Sequence, residues 1–135
     1  MPLSLKRQGA EIIAYPSAFT VPTGKAHWEI LLRARAIETQ SFVVAAAQAG
    51  HHNSLRVTYG HSMIISPWGE ILAELGGDFN GPEIATATID LSEVRRLRIE
   101  VPLKRRTDVG FQPSPPAVST KHRRMLTSSQ VYPEL

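Results

Sequence analysis

Six apolar residues in a row, Phe42-Val43-Val44-Ala45-Ala46-Ala47, follow directly on a segment with helical periodicity. That adjacency constrains the fold more than any other feature of the chain. A strand with one wet face alternates polar and apolar residues. An uninterrupted apolar run is the pattern of a strand covered on both faces, as in layered α/β domains. From Lys25 to Ser41 the apolar positions Ala26, Ile30, Ala34 and Ile37 recur at three- and four-residue steps, which predicts a helix whose apolar stripe they form. Before it, Glu11-Ile12-Ile13-Ala14-Tyr15 is rich in strand formers and stops at Pro16. Strand, helix, strand in that order predicts an α/β sheet with its helix on one face.

The rest of the chain continues the pattern. Residues 4–9 read as the end of a helix closed by Gly9. Residues 16–24, with two prolines and a glycine, read as a loop, and Gly50-His51-His52-Asn53-Ser54 as a polar loop. Val57-Thr58-Tyr59 leads through Gly60-His61-Ser62 into Met63-Ile64-Ile65. Ser66-Pro67-Trp68-Gly69 is a turn sequence, and Glu70–Glu74 returns as the partner strand of a hairpin. Residues 76–82 form another loop, and Glu83–Ile89 alternates in part as a strand does. Asp90 is a helix N-cap with Glu93 three residues on. Leu91, Val94, Leu97 and Val101 share one face, and Pro102 ends the helix. Beyond Gln112 the composition turns to Pro, Ser, Thr, Lys and Arg, so residues 113–135 are expected to be a disordered tail after a domain spanning 1–112.

Composition narrows the chemistry. No apolar run approaches the roughly 20 residues of a membrane span, so no membrane partner is expected. The 135 residues contain no cysteine, which excludes disulfides, thiolate metal sites and a thiol nucleophile within them, and fits the cytosol. Residues 1–90 carry a net charge of −2 and residues 91–135 a net charge of +5. The basic end lacks interleaved aromatics and its cations sit beside acids, so a solvated helix face and a loose tail outweigh a nucleic-acid partner.

Individual residues allow sharper readings. Ser17, on a strand-to-loop turn, could act as a nucleophile with His61 as base and Asp78 or Asp90 as orienter, but no Gly-x-Ser-x-Gly elbow supports it, and local backbone bonding is the favoured role. His51 and His52 are adjacent and would point to opposite faces of a strand. His27 and His61 lack a companion at ligand spacing and His122 sits in the tail, so no metal site is expected. Trp28 and Trp68 read as core or interface aromatics. Glu38 pairs most simply with Arg35 across one helical turn. Arg33 and Arg35 could hold a carboxylate, although surface or interface ion pairs are the stronger reading.

Taken together, Tyr15-Pro16-Ser17-Ala18-Phe19, Gly24-Lys25-Ala26-His27-Trp28-Glu29, Arg33-Ala34-Arg35-Ala36-Ile37-Glu38-Thr39-Gln40, Gly60-His61-Ser62-Met63, Pro67-Trp68-Gly69-Glu70 and Asp90-Leu91 resemble the nitrilase superfamily of carbon–nitrogen hydrolases. The nearest branch is the one acting on deaminated glutathione and similar ω-amides. The similarity covers residues 4 to about 112. It implies the C-terminal half of a four-layer αββα sandwich whose subunits pair into dimers, working on a small amide without a cofactor. The family's catalytic cysteine, glutamate base, lysine and accessory glutamate all lie upstream of the part matched here. Ser4–Glu11 resembles the helix that follows the nucleophile elbow.

By the same resemblance, Ser17, Ala18, Phe19 and His61 are expected at the rim of the substrate pocket. His27, Trp28, Arg33 and Arg35 are expected at the dimer interface, on helices at 3–9 and 25–41. The isolated chain is expected to be inactive, either a truncated product whose parent carries the catalytic half or a non-catalytic module. It is expected to form a homo-oligomer or to pair with a full-length relative, because a half-sandwich would expose an apolar sheet face.

Overall fold

The computed structural model describes residues 2–78 and 81–103. The expected tail at 113–135 lies outside the described residues. Among the described residues three helices and six strands make a mixed α/β unit: α1 (Pro2–Arg7), β1 (Ile12–Ala14), α2 (Val21–Thr39), β2 (Phe42–Ala45), β3 (Ala49–Asn53), β4 (Arg56–Tyr59), β5 (Met63–Ile65), β6 (Ile71–Glu74) and α3 (Leu91–Glu100).

The main sheet has the order β1-β2-β5-β6. β1 and β2 run parallel, in register Ile13↔Val43, and α2 is the crossover that parallel neighbours require. β2–β5 and β5–β6 are antiparallel. The β5–β6 hairpin turns through Ser66-Pro67-Trp68-Gly69, as its turn chemistry predicts, with Gly69 at φ +91. α2 starts at Val21 rather than Lys25, because Pro22 suits a first turn whose N–H groups have no intrahelical acceptor. It ends where Gln40 turns left-handed (φ +50) and its N–H bonds Ala36 O and Ile37 O. Asp90 caps α3 by accepting from the Ser92 N–H at 2.8 Å.

Three expectations are corrected. The stripe Ala26, Ile30, Ala34 and Ile37 is the open face of α2. Gly24, Trp28, Leu32, Ala36 and Thr39 face inward. Both faces carry apolar side chains, and the inward one is set by fit: Trp28, Leu32 and Ala36 meet Val43, Ala45, Met63 and Ile65 in one buried cluster. His51, His52 and Asn53, read as loop, belong to β3, which pairs with β4 in a separate two-stranded sheet. Glu83–Ile89 has no strand partner among the described residues, although its exposure alternates as a strand's would.

Burial on the two faces of the main sheet is unequal. Val43 and Ala45 of β2 are fully covered by α2, Val44 is only half-buried and Ala46 is exposed. On β1, Ile13 is buried and Ile12 is 46% exposed. The expected double cover is therefore complete on one face only among the described residues.

Candidate functional site

The carboxyl ends of the parallel strands β1 and β2 are where an α/β sheet gathers its functional loops. Here the chain leaving β1 stays paired past the strand. The Ser17 N–H donates to Ala46 O at 2.9 Å, and the Gln48 N–H donates to Ser17 O at 3.0 Å. Ser62 closes the same edge. Its Oγ accepts from the Ala47 N–H at 2.9 Å and donates to Ala47 O at 3.3 Å, standing in for a strand where the ladder ends. The Tyr59 N–H donates to Phe19 O at 2.9 Å, which ties the loop before α2 to β4.

Two open clefts flank this edge. One, of about 430 Å3, lies among Ala47, Gln48, Ser62, Leu75, Asp78 and Glu83. The other, of about 560 Å3, lies between the first turn of α2 and the β3–β4 hairpin, where Lys25, His51, Tyr59, His61 and Asp78 line it. His51 and Asp78 border both.

His61 is the most constrained side chain of the region. Its backbone is left-handed (φ +58) and its carbonyl accepts from the Trp28 Nε1–H at 2.7 Å. Its Nδ1 lies 2.9 Å from Glu74 Oε1, and its ring stacks on Tyr59 with centroids 4.2 Å apart. The Ser17–His61–Asp reading is corrected in its third member: the His61 Nδ1 partner is Glu74, and Asp90 is occupied capping α3. Among the described residues, no group of three or more His, Asp or Glu is arranged to hold a metal ion. His52 instead meets Thr58 Oγ1 at 2.6 Å.

Of the residues expected at the pocket rim, Ser17 and His61 are brought to this edge, each half-buried. Ala18 is exposed beside them, and Phe19 leans on Trp28 with ring centroids 5.0 Å apart. The four residues expected at a subunit interface fall on different faces of α2. His27 and Arg33 are exposed and Arg35 is half-buried. Trp28 is 2% exposed, inside the chain's own core. Arg33 pairs with Glu29 and donates to Gly69 O. Arg35 pairs with Glu38 as expected, and that hydrogen bond raises the Arg35 pKa. Burial pushes the Tyr15 hydroxyl up.

Sequence reasoning missed Glu74, Tyr59 and Ser62. Glu74 carries no motif, and only the β5–β6 register, which sets Glu74 opposite Met63, brings it beside His61. Ser62 carried a signal, a lone hydroxyl placed immediately before an apolar strand.

Comparison with known proteins matches these features to a family. The carbon-nitrogen hydrolase family profile covers residues 1–99. Human deaminated glutathione amidase is 54% identical over 101 residues, covering 75% of this chain and 30% of the human protein. The crystal structure of the C. elegans NitFhit protein superposes with a TM-score of 0.74 at 50% identity, covering 79% of this chain and 26% of that one. Saccharomyces cerevisiae Nit3, a member of branch 10 of the nitrilase superfamily, gives a TM-score of 0.70 at 37% identity, over 78% and 38% of the two chains. The 135 residues thus span about a third of the relatives they match. On the breadth of these matches, the chain belongs to the carbon-nitrogen hydrolase family, within the nitrilase superfamily.

Proposed function

We propose that these residues are the C-terminal portion of an amidase that hydrolyses a small ω-amide of the deaminated glutathione type to a carboxylate and ammonia, and that they do not catalyse this reaction alone. One observation carries the reading. A chain 54% identical to a deaminated glutathione amidase contains no cysteine, so it holds no thiolate to attack the amide carbonyl. In the proposed reaction a thiolate from an upstream segment adds to the carbonyl, ammonia leaves, and water releases the acyl group as a carboxylate. The described residues contribute the pocket rim around Ser17, Ala18, Phe19 and His61. A cytoplasmic setting belongs to the same proposal.

The test is an ammonia-release assay on a panel of ω-amides, with the chain alone and with a polypeptide covering the upstream part of a family member. Hydrolysis only in the mixture is the expected result. Turnover by the chain alone at an ordinary enzymatic rate, or none in the mixture, defeats the proposal.

A second reading is favoured by a separate observation: Ile30, Leu31 and Ile37 leave one face of α2 apolar and open, at 69%, 42% and 47% exposure. That face supports a non-catalytic pairing module, docking on another copy or on a full-length relative, with His27, Arg33 and Arg35 around it. Co-purification with such a relative is the expected result, and a monomer at high concentration with no bound relative counts against it.

A further inference from the structure

Gly60 and His61 hold left-handed backbone in succession, at φ +72 and +58. Glycine adopts it freely. For histidine it is uncommon, and it persists where the surroundings over-determine it, a condition that concentrates at functional sites. Here the surroundings do so from several elements. The Gly60 N–H donates to Gln48 O at 3.0 Å and the His61 N–H to Gly76 O at 3.2 Å. Trp28 of α2 holds the His61 carbonyl, Ser62 holds Ala47, and Glu74 at the end of β6 meets the His61 ring.

The ring contacts decide which nitrogen is free. A carboxylate only accepts hydrogen bonds, so in the His61–Glu74 pair Nδ1 carries the proton, and the Nε2 of a neutral imidazole keeps its lone pair. Nε2 stands against Gly77, where an added Cβ would come within 2.9 Å of it, and Gly77 and His61 share the wall of the cleft that Lys25 and Asp78 also line.

We propose that Glu74 and Trp28 are positioning residues for the Gly60–His61–Ser62 elbow, and that together they make His61 present an unprotonated Nε2, an acceptor for a ligand N–H, on that cleft wall. Trp28 fixes the backbone of the elbow through its indole N–H, and Glu74 fixes the tautomer and the ring. A primary carboxamide offers the N–H that such an acceptor would take. In naming that ligand class the inference rests on the amidase reading above.

The experiment uses the full 135-residue chain, labelled with 15N, at mildly alkaline pH where imidazoles are neutral. Long-range 1H–15N correlation is expected to show His61 with its proton on Nδ1, and Glu74→Ala to move the proton to Nε2, the form free histidine prefers. Glu74 is exposed enough that this change leaves the core intact. Trp28→Phe keeps an aromatic ring and removes the indole N–H together with part of the buried bicycle. It is expected to speed amide exchange at Gly60 and His61 by about tenfold more than at Val43 and Ile65, which share the Trp28 core. An Nε2–H His61 in the unaltered chain, an unmoved proton in Glu74→Ala, or exchange at the elbow that rises no more than at Val43 and Ile65 in Trp28→Phe overturns the inference. None of these readouts involves hydrolysis. Failure of the ammonia-release assay with these signatures intact removes the carboxamide ligand alone, whereas activity without them removes the positioning roles alone.

Discussion

The two faces of α2 are built from similar side chains and have opposite fates. One face carries Trp28, Leu32 and Ala36 into the core against β2 and β5, and the other leaves Ile30, Leu31 and Ile37 in the open. Hydrophobicity does not separate them. Shape does. The inward face begins at Gly24, which has room only for a hydrogen atom against the Tyr59 ring, and passes through Ala36, which is fully buried. Small residues let the helix approach the sheet, and the Trp28 indole finds an acceptor in His61 O. The outward face has no such fit within the described residues. What designates a core face is complementarity to a partner in the same chain, and an equally apolar face without that partner is a surface for something else.

The contrast can be broken most forcefully at Leu32. Leu32→Ala deletes a buried side chain and is expected to cost about 2–5 kcal/mol. Ile30→Ala should stay within about 0.5 kcal/mol. Urea unfolding of both variants checks the pair, and equal losses would mean that the two faces are not different in kind.

Next in size is Gly24→Ala, which drives a methyl group into the Tyr59 ring and is expected to cost about 1–3 kcal/mol by overpacking. Thermal melts of this variant beside an alanine at exposed His27 sharpen the point, since alanine normally favours helix over glycine.

A smaller effect on folding, but a direct one on association, is expected from Ile30→Glu combined with Ile37→Glu. Stability should change little, while any concentration-dependent self-association seen by sedimentation should fall. Unaltered association would place the pairing surface elsewhere.

The smallest effect lies far from α2, at the cap of α3. Hydrogen bonds from Ser92 hold the Asp90 carboxyl below its ordinary value of 3.8. A depressed folded-state pKa adds stability that is present above the ordinary value and is lost as pH falls through the folded one. Asp90→Asn, which keeps an N-cap acceptor without the charge, should therefore flatten the acid limb of the stability curve: it loses the charge's small contribution at neutral pH and matches the unaltered chain once Asp90 is protonated. Melts between pH 2 and 7 read this out.

The sequence reading did well where local chemistry decides. Asp90 and Pro102 bracket α3, Ser66-Pro67-Trp68-Gly69 makes the β5–β6 turn, and the β1–α2–β2 order follows from where the apolar runs and breakers stand. It failed where the answer depends on a partner distant in sequence. Periodicity found an apolar stripe on α2 but not the inward one, since both stripes satisfy it. The alternation at Glu83–Ile89 is that of a strand, yet alternation cannot supply the second strand of a ladder. At the candidate site Ser17 and His61 were legible through motif resemblance. Glu74 was not, because its role exists only once β6 folds back beside the elbow.

The sheet also carries a timetable. Ile65 and Ile71 pair across a gap of six positions, whereas Ile12 waits for Phe42, thirty positions further along. Closing the short loop costs little entropy and closing the long one more, so the hairpin is expected to nucleate and the parallel edge to dock late. A ribosome delivers these pieces in the opposite order. Of these strands, the first to emerge is therefore the last to find its place, and its exposed Ile12 edge stays open to chaperones or to misassociation until then.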